Sequence, residues 1–296
     1  MSALSPRLGV ALLMLLATMF AANHIAARVT FDHGASVPAA VAVRSGVTAF
    51  VMVALLRLNA IPMMLPRAAL GRGLGIGLLV AVQSYCLYSA VAVIPVALAL
   101  LAFNTFPLLL VLLSWAMGGE RPTIRALVAM PVALLGLVLA LDIVGTLAAI
   151  AGRWAEIGIG VGWALGASSS FAVVLYLTTR LLKDVDGRMR TLLTMGATAV
   201  AVLLAGAATD TLALPGDGTG WLALVLLTVL YGTAITAIFT VVPRLGAAHN
   251  TAALNFEPIA ALAMGWAILG QAMAPRQLVG ALIVVGAIVF LSTGRR

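Results

Sequence analysis

Two ionisable side chains stand inside long apolar runs, where a charge is expensive and marks a candidate functional site. Arg44 follows the start of the run 37–57 by about seven residues, roughly 10 Å of depth at about 1.5 Å per residue. Glu257 lies near the middle of the run 247–269, directly before Pro258, where a helix must give up a backbone hydrogen bond. Arg44 reads either as a packing arginine that satisfies carbonyls or anchors a helix end, or as a site residue. Glu257 reads as a proton-binding group, a partner for a ligand ammonium, a partner for Arg44, or a polar lining group.

Other residues of the interior fit a site for a small molecule. Pro107 and Pro258 both interrupt apolar runs at mid-depth, and a matched pair of broken helices points to a central binding cavity; the plainer reading is a kink in each helix. Their neighbours Phe103, Asn104, Phe106 and Asn255 then belong near that cavity. The two amides either bind a ligand carboxylate or amine, or bond a neighbouring helix. Gln83, Tyr85 and Tyr88 cluster in one run, and Trp163 and Tyr231 stand in two others. Tyrosine is normally enriched at the membrane interface, so a tyrosine at mid-depth asks for another explanation. Ser168, Ser169 and Ser170 supply hydroxyls or, equally, small contacts between helices. Aromatic and amide groups together suit an amphipathic zwitterion. Trp115, Trp154, Trp221 and Trp266 lie near run ends and read as interface residues, whereas Asn23 and His24 read as a packed or water-facing pair rather than a proton relay.

Catalytic and metal chemistry find no pattern. HExxH, GxSxG and acids at metal-ligand spacing are missing from the sequence, and Gly73-Leu-Gly75-Ile-Gly77 has no following GK[ST]. Cys86 is the single cysteine, which excludes an intramolecular disulfide, a CxxC pair and a thiolate metal site. We therefore expect no enzyme activity, no cofactor and no metal. The twelve methionines read as apolar filler.

The elements that position these residues follow from composition. Of 296 residues 63% are apolar and 9% charged, with a mean hydropathy of +1.17; a soluble domain has about 45–50% apolar and about 25% charged residues. Breaking the apolar runs at charges, proline and glycine yields ten segments: 8–28, 37–57, 72–93, 95–117, 123–142, 154–178, 189–209, 219–241, 247–269 and 275–293. Each has the length of a membrane-spanning helix. The charge-free stretch 73–119 is too long for one span, and Pro95 divides it into two. The first run contains Asn23 and His24 and reads as a retained helix rather than a cleaved signal.

The net charge of +8 would suggest nucleic acid in a soluble chain. Here it orients the helices. With the N-terminus inside, ten spans put 13 of the 17 Lys and Arg residues on the cytoplasmic side, leaving Arg28, Arg44, Arg153 and Arg276 for the other side and outer ends. That asymmetry follows the positive-inside rule and favours both termini inside.

Sliding the sequence on itself finds a register at 151 residues. Ala102/Ala253, Asn104/Asn255, Pro107/Pro258, Trp115/Trp266, Ala116/Ala267, Gly119/Gly270, Arg125/Arg276 and Leu127/Leu278 coincide. Five spans, an odd number, separate the copies, so the second repeat, 147–296, enters the membrane inverted relative to the first, 1–146. Inverted repeats place a transporter's site at their interface, near the bilayer midplane, and permit alternating access. The expected fold is therefore all-α, with ten spans in two inverted sets of five.

Several motifs now carry a resemblance. Trp115-Ala-Met-Gly-Gly-Glu120-Arg-Pro-Thr123 resembles the helix-end signature of the EamA branch of the drug/metabolite transporter superfamily. Phe20-Ala-Ala-Asn23-His-Ile-Ala-Ala-Arg28 resembles its first-span pattern, with Phe20-Ala21 in place of Trp-Gly. Arg44 falls at its second-span arginine, and Asn255-Phe-Glu257-Pro258 resembles its ninth-span proline motif; Gln271 stands where the second copy would hold an acid. The resemblance implies export of small metabolites, often amino acids, across the bacterial inner membrane. The aromatic-rich middle is most similar to the YddG-type exporters of aromatic amino acids. The alternatives are a broad exporter of organic cations, with Glu257 as counter-charge and aromatic rings as cation-π surfaces, and, in a different class, a channel. The expected partners are a small-molecule substrate and the lipid bilayer, not nucleic acid; a monomer is compatible with the sequence.

Overall fold

Proline and the residues beside it set where most helices begin. In the computed structural model, which describes residues 6–119, 121–122, 124–140, 154–240, 256–271 and 274–293, the helices are α1 Pro6–Asp32, α2 Val37–Leu58, α3 Arg67–Val93, α4 Val96–Phe103, α5 Phe106–Ala116, α6 Ile124–Ala140, α7 Trp154–Leu181, α8 Gly187–Ala208, α9 Gly218–Thr240, α10 Glu257–Leu269 and α11 Pro275–Thr293. No strand occurs among the described residues. Ser36 caps α2 by accepting the Ala39 amide, with Pro38 in the first turn, where a missing N–H costs nothing. Pro66 and Pro95 stand immediately before α3 and α4.

Seven helical stretches are long and apolar enough to cross a membrane, α4 and α5 together forming one of them. Shorter apolar stretches lie in α6, α10 and α11. Each of the ten apolar segments read from sequence thus holds helix. The boundaries differ by four residues or more at two described ends. Helix α3 begins at Arg67 rather than near residue 72, and α1 runs on to Asp32, held at its end by the Arg28–Asp32 ion pair at 3.0 Å.

The fourth segment is broken, not merely bent. Pro107 has no N–H and its ring clashes with the preceding turn, so the chain leaves the helix at Asn104-Thr105 and restarts at Phe106. Side chains at the break bond back onto the last turn: Asn104 Nδ2 donates to Leu100 O at 2.7 Å and Thr105 Oγ1 to Ala102 O at 2.8 Å, beside the backbone amides of the same two residues. Pro258 likewise occupies the first turn of α10. The residues before it, including Asn255, lie outside the described residues.

Helix packing has a two-fold pattern. Helices α1 and α9 pack together, as do α7 and α3; α1 meets α10 as α7 meets α4 and α5; and α2 with α8, α6 with α11 and α4 with α10 each pair across the halves. Every one of these contacts joins an element before residue 141 to one after residue 153, so neither half buries its apolar faces alone. Helices α6 and α11 approach closely, and a Cβ on Gly280 would meet the backbone of Ala140 and Gly136. All eight residues of α4 are buried at the centre. Large apolar side chains such as Phe50, Leu204 and Trp266 point outward, the surface a bilayer would cover.

Candidate functional site

Arg44 is drawn inward by its helix. Helix α2 packs against α8, α9 and α3, and its buried face carries Arg44, Ser45 and Thr48, leaving Arg44 3% exposed. Its Nη1 donates to Tyr88 Oη at 3.1 Å and its Nη2 to Ser84 Oγ at 3.0 Å. Ser84 and Tyr88 share one face of α3 at the i, i+4 spacing that makes helical neighbours. Tyr88 Oη passes the chain on to Asn23 Oδ1 at 3.0 Å, and Ser84 Oγ donates to Gln83 Oε1 at 3.3 Å. The Arg44 guanidinium also lies against two rings, 4.7 Å from the centre of Tyr88 and 3.9 Å from that of Tyr231, within the range of a cation-π contact.

Glu257 meets a different partner. Its Oε1 lies 3.5 Å from His24 Nε2, and His24 stands edge-on to Tyr88 with ring centres 5.7 Å apart. Among the described residues no carboxylate comes within ion-pair distance of Arg44. Arg44 and Glu257 are therefore linked through Tyr88 and His24 rather than by direct contact. Four buried polar atoms here have no hydrogen-bond partner among the described residues: Arg44 Nε, Asn23 Nδ2, His24 Nδ1 and Ser45 Oγ. Such atoms are rare in native interiors and call for an explanation.

The remaining sequence-picked residues fall into two further groups. Phe103 and Phe106 have ring centres 5.5 Å apart and both pack on Phe171, beside the helix break. Asn104 is 6% exposed, and its amide is used on Leu100 O. Tyr85 and Trp163 form an edge-to-face pair at 5.9 Å on a partly exposed surface. The serines mainly tie helices: Ser168 Oγ lies 3.0 Å from Thr105 Oγ1, and Ser170 Oγ donates to Leu79 O at 3.0 Å. Trp115, Trp221 and Trp266 are exposed.

Sequence reasoning named Asn23 and His24 but left them out of the site, and it missed Ser84. The signal for the first two was present, as adjacent polar residues in an apolar run. For Ser84 it was its position four residues before Tyr88. No group of three or more His, Cys, Asp or Glu suited to a metal ion occurs among the described residues.

At one end of the bundle, two loops are joined. His33 Nδ1 lies 2.6 Å from Asp217 Oδ2, Gly216 N donates to His33 O at 3.0 Å, and Ser36 exchanges hydrogen bonds with Ala213. Asp217 Oδ1 accepts the Gly220 amide at 2.8 Å at the start of α9. That bond, with the His33 contact, holds the Asp217 carboxyl below its usual range.

Comparison with known proteins agrees with this architecture. The EamA-like transporter family matches residues 7–142 and again residues 158–293, the same 151-residue offset found by sliding the sequence on itself. A solved structure described as "Crystal structure of protein" superposes with a TM-score of 0.64 over 95% of this chain and 96% of its own, at 20% identity; that likeness concerns the fold. Among curated proteins no relative matches the chain in sequence.

Proposed function

Since this chain belongs to the EamA-like transporter family, within the drug/metabolite transporter superfamily, we propose that it is a secondary carrier exporting small amphipathic metabolites, amino acids foremost, across the bacterial inner membrane. One observation carries the reading. A single polar cluster spans both halves, with Asn23, His24, Arg44, Ser84 and Tyr88 from the first and Tyr231 and Glu257 from the second. A site at the interface of two repeats changes its access when the repeats rock against each other. The cluster offers one cation, one carboxylate, hydroxyls and aromatic faces, a set complementary to a zwitterion with an apolar side chain.

The topology we propose is ten spans with both termini inside, the repeats 1–146 and 147–296 being inverted. The joined loops support it: the α1–α2 turn and the α8–α9 turn meet at one end, as ten-span parity requires. Exchange of the two halves in the packing pattern is what an inverted pair produces.

The test is uptake and counterflow in proteoliposomes with a panel of neutral and aromatic amino acids and of organic cations, with and without a pH gradient. Saturable counterflow of amino acids is expected, and it falls in Glu257→Ala, His24→Ala and Tyr88→Ala proteins that reconstitute normally. Flux confined to organic cations overturns the substrate class. Non-saturating flux without exchange indicates a channel and overturns the carrier, and wild-type flux in all three variants removes this site.

A further inference from the structure

Tyr88 and Tyr231 both contact the Arg44 guanidinium, but they are held differently. Tyr88 is fully buried, its ring stands edge-on to His24 and Phe31, and its hydroxyl joins Arg44 to Asn23. It is part of the frame. Tyr231 is partly exposed. Its ring meets Phe20 at 6.1 Å, and among the described residues its hydroxyl reaches only the Met195 thioether at 3.6 Å, a weak acceptor. This ring can leave Arg44 without breaking a strong hydrogen bond.

Beneath it lies a cation with unspent donors. Arg44 uses Nη1 and Nη2 on Tyr88 and Ser84, while its Nε and the nearby Asn23 Nδ2 have no partner among the described residues. A buried guanidinium without a counter-charge is costly, and an incoming anion relieves that cost by accepting charge-assisted hydrogen bonds. We propose that Arg44 and Asn23 form the recognition point for a substrate carboxylate, with the Tyr231 ring as its lid.

A monoanion fits better than a phosphate. The cluster has one arginine and, on its far side, the Glu257 carboxyl against His24, so a dianion would leave excess negative charge at membrane depth. A carboxylate has two oxygens in one plane, one for each free donor, and leaves Glu257 to face an ammonium. The amino-acid reading of the site underlies this assignment, which adds the end of the molecule that each charge recognises.

The experiment compares three competitors in counterflow of a labelled amino acid by the wild-type protein in proteoliposomes: the amino acid, its amide, which lacks the carboxylate, and its N-acetyl form, which lacks the ammonium. Loss of a charge-assisted hydrogen bond predicts that the amide competes about tenfold or more weakly. In Arg44→Lys and Asn23→Ala proteins the gap between acid and amide narrows several-fold, whereas Tyr231→Ala keeps it. If the arginine variants do not reconstitute, ligand-induced thermal stabilisation of the wild-type protein decides: the N-acetyl acid raises the unfolding temperature and the amide of that acid does not. Equal competition by acid and amide, or an undiminished gap in both Arg44→Lys and Asn23→Ala, overturns the carboxylate site while leaving amino-acid export standing. A wild-type protein that moves no amino acid overturns the export reading and this inference with it.

Discussion

The Arg44 guanidinium on α2 lies 3.9 Å from the ring centre of Tyr231 on α9, so a buried cation of one repeat is covered by an aromatic face of the other. This contact crosses the interface between halves at the level of the hydrogen-bonded chain Arg44–Tyr88–Asn23. Any rearrangement that shifts α9 against α2 changes what the cation sees. Structure and function meet here because the same groups hold the halves together and present charge to the interior.

The two tyrosines predict unequal stability effects for one chemical change. Tyr88→Phe removes the acceptor of Arg44 Nη1 and the donor to Asn23 Oδ1, leaving both buried and unpaired. Each such group costs roughly 1–3 kcal/mol. Tyr231→Phe loses only the hydroxyl contact to Met195 and keeps the ring over Arg44. Thermal unfolding of purified protein in detergent is expected to show a clear drop for Tyr88→Phe and little change for Tyr231→Phe. Equal midpoints for the two variants would refute the assignment of Tyr88 to the frame.

Much of the helical layout was legible because it depends on local chemistry. Runs without charge make helices, Pro95 separates α3 from α4, and Pro107 and Pro258 start new helices where a backbone bond must be lost. The partners of Arg44 were not legible. An ion pair with Glu257 was one open reading, yet Glu257 sits against His24 and Arg44 against Tyr88 and Ser84. Which faces of α1, α2 and α3 meet is decided by packing across both halves, and no short window of sequence contains that information. Asn104 shows the same limit from the other side: its position beside the break was visible, but whether its amide would serve a ligand or the Leu100 carbonyl was not.

Close packing of α6 and α11 predicts that Gly280 does not tolerate a branched side chain. A Cβ there would lie 2.6 Å from Gly136 O and 2.7 Å from the Leu139 carbonyl carbon, both backbone atoms that cannot turn aside. Gly280→Val must push the helices apart, and overpacking of this kind costs about 1–3 kcal/mol or more. Gly286→Ala, on the same helix with nothing within 4 Å of its added Cβ, serves as the control. Reconstituted yield and unfolding temperature should fall for Gly280→Val and hold for Gly286→Ala; tolerance of valine would show that α6 and α11 do not touch at this point.

The joined loops predict a local response to acid. Asp217 is held below its ordinary value of 3.8 by the Gly220 amide and His33, so its folded form binds a proton less readily than its unfolded form. The sign follows: its contribution is fully present above 3.8, declines as the pH falls through the lowered folded value, and is gone below it. Asp217 is solvent-exposed, and screening makes the effect local rather than global. Hydrogen exchange at the Gly220 amide should be slow at neutral pH and faster in Asp217→Ala, which removes the acceptor, under the same conditions. Unchanged exchange in the variant would show that the carboxylate does not hold the start of α9.

Topology can be tested with single cysteines, because the native thiol is hidden. Cys86 is 8% exposed, and Cys86→Ser leaves a background without reactive sulfur. Ala213 is exposed and uses only its backbone to bond Ser36, so Ala213→Cys keeps the loop contact; Lys183→Cys marks the exposed turn between α7 and α8. Ten spans with both termini inside put residue 213 outside and residue 183 inside, the latter among the basic residues Arg180, Arg188 and Arg190 that the positive-inside rule assigns to the cytoplasm. A membrane-impermeant maleimide applied to intact spheroplasts is expected to label the 213 variant at once and the 183 variant only after permeabilisation. Labelling of both from outside contradicts an odd number of spans between them, and the reverse pattern inverts the whole molecule. Either result would also change the side of the membrane from which a substrate reaches Arg44.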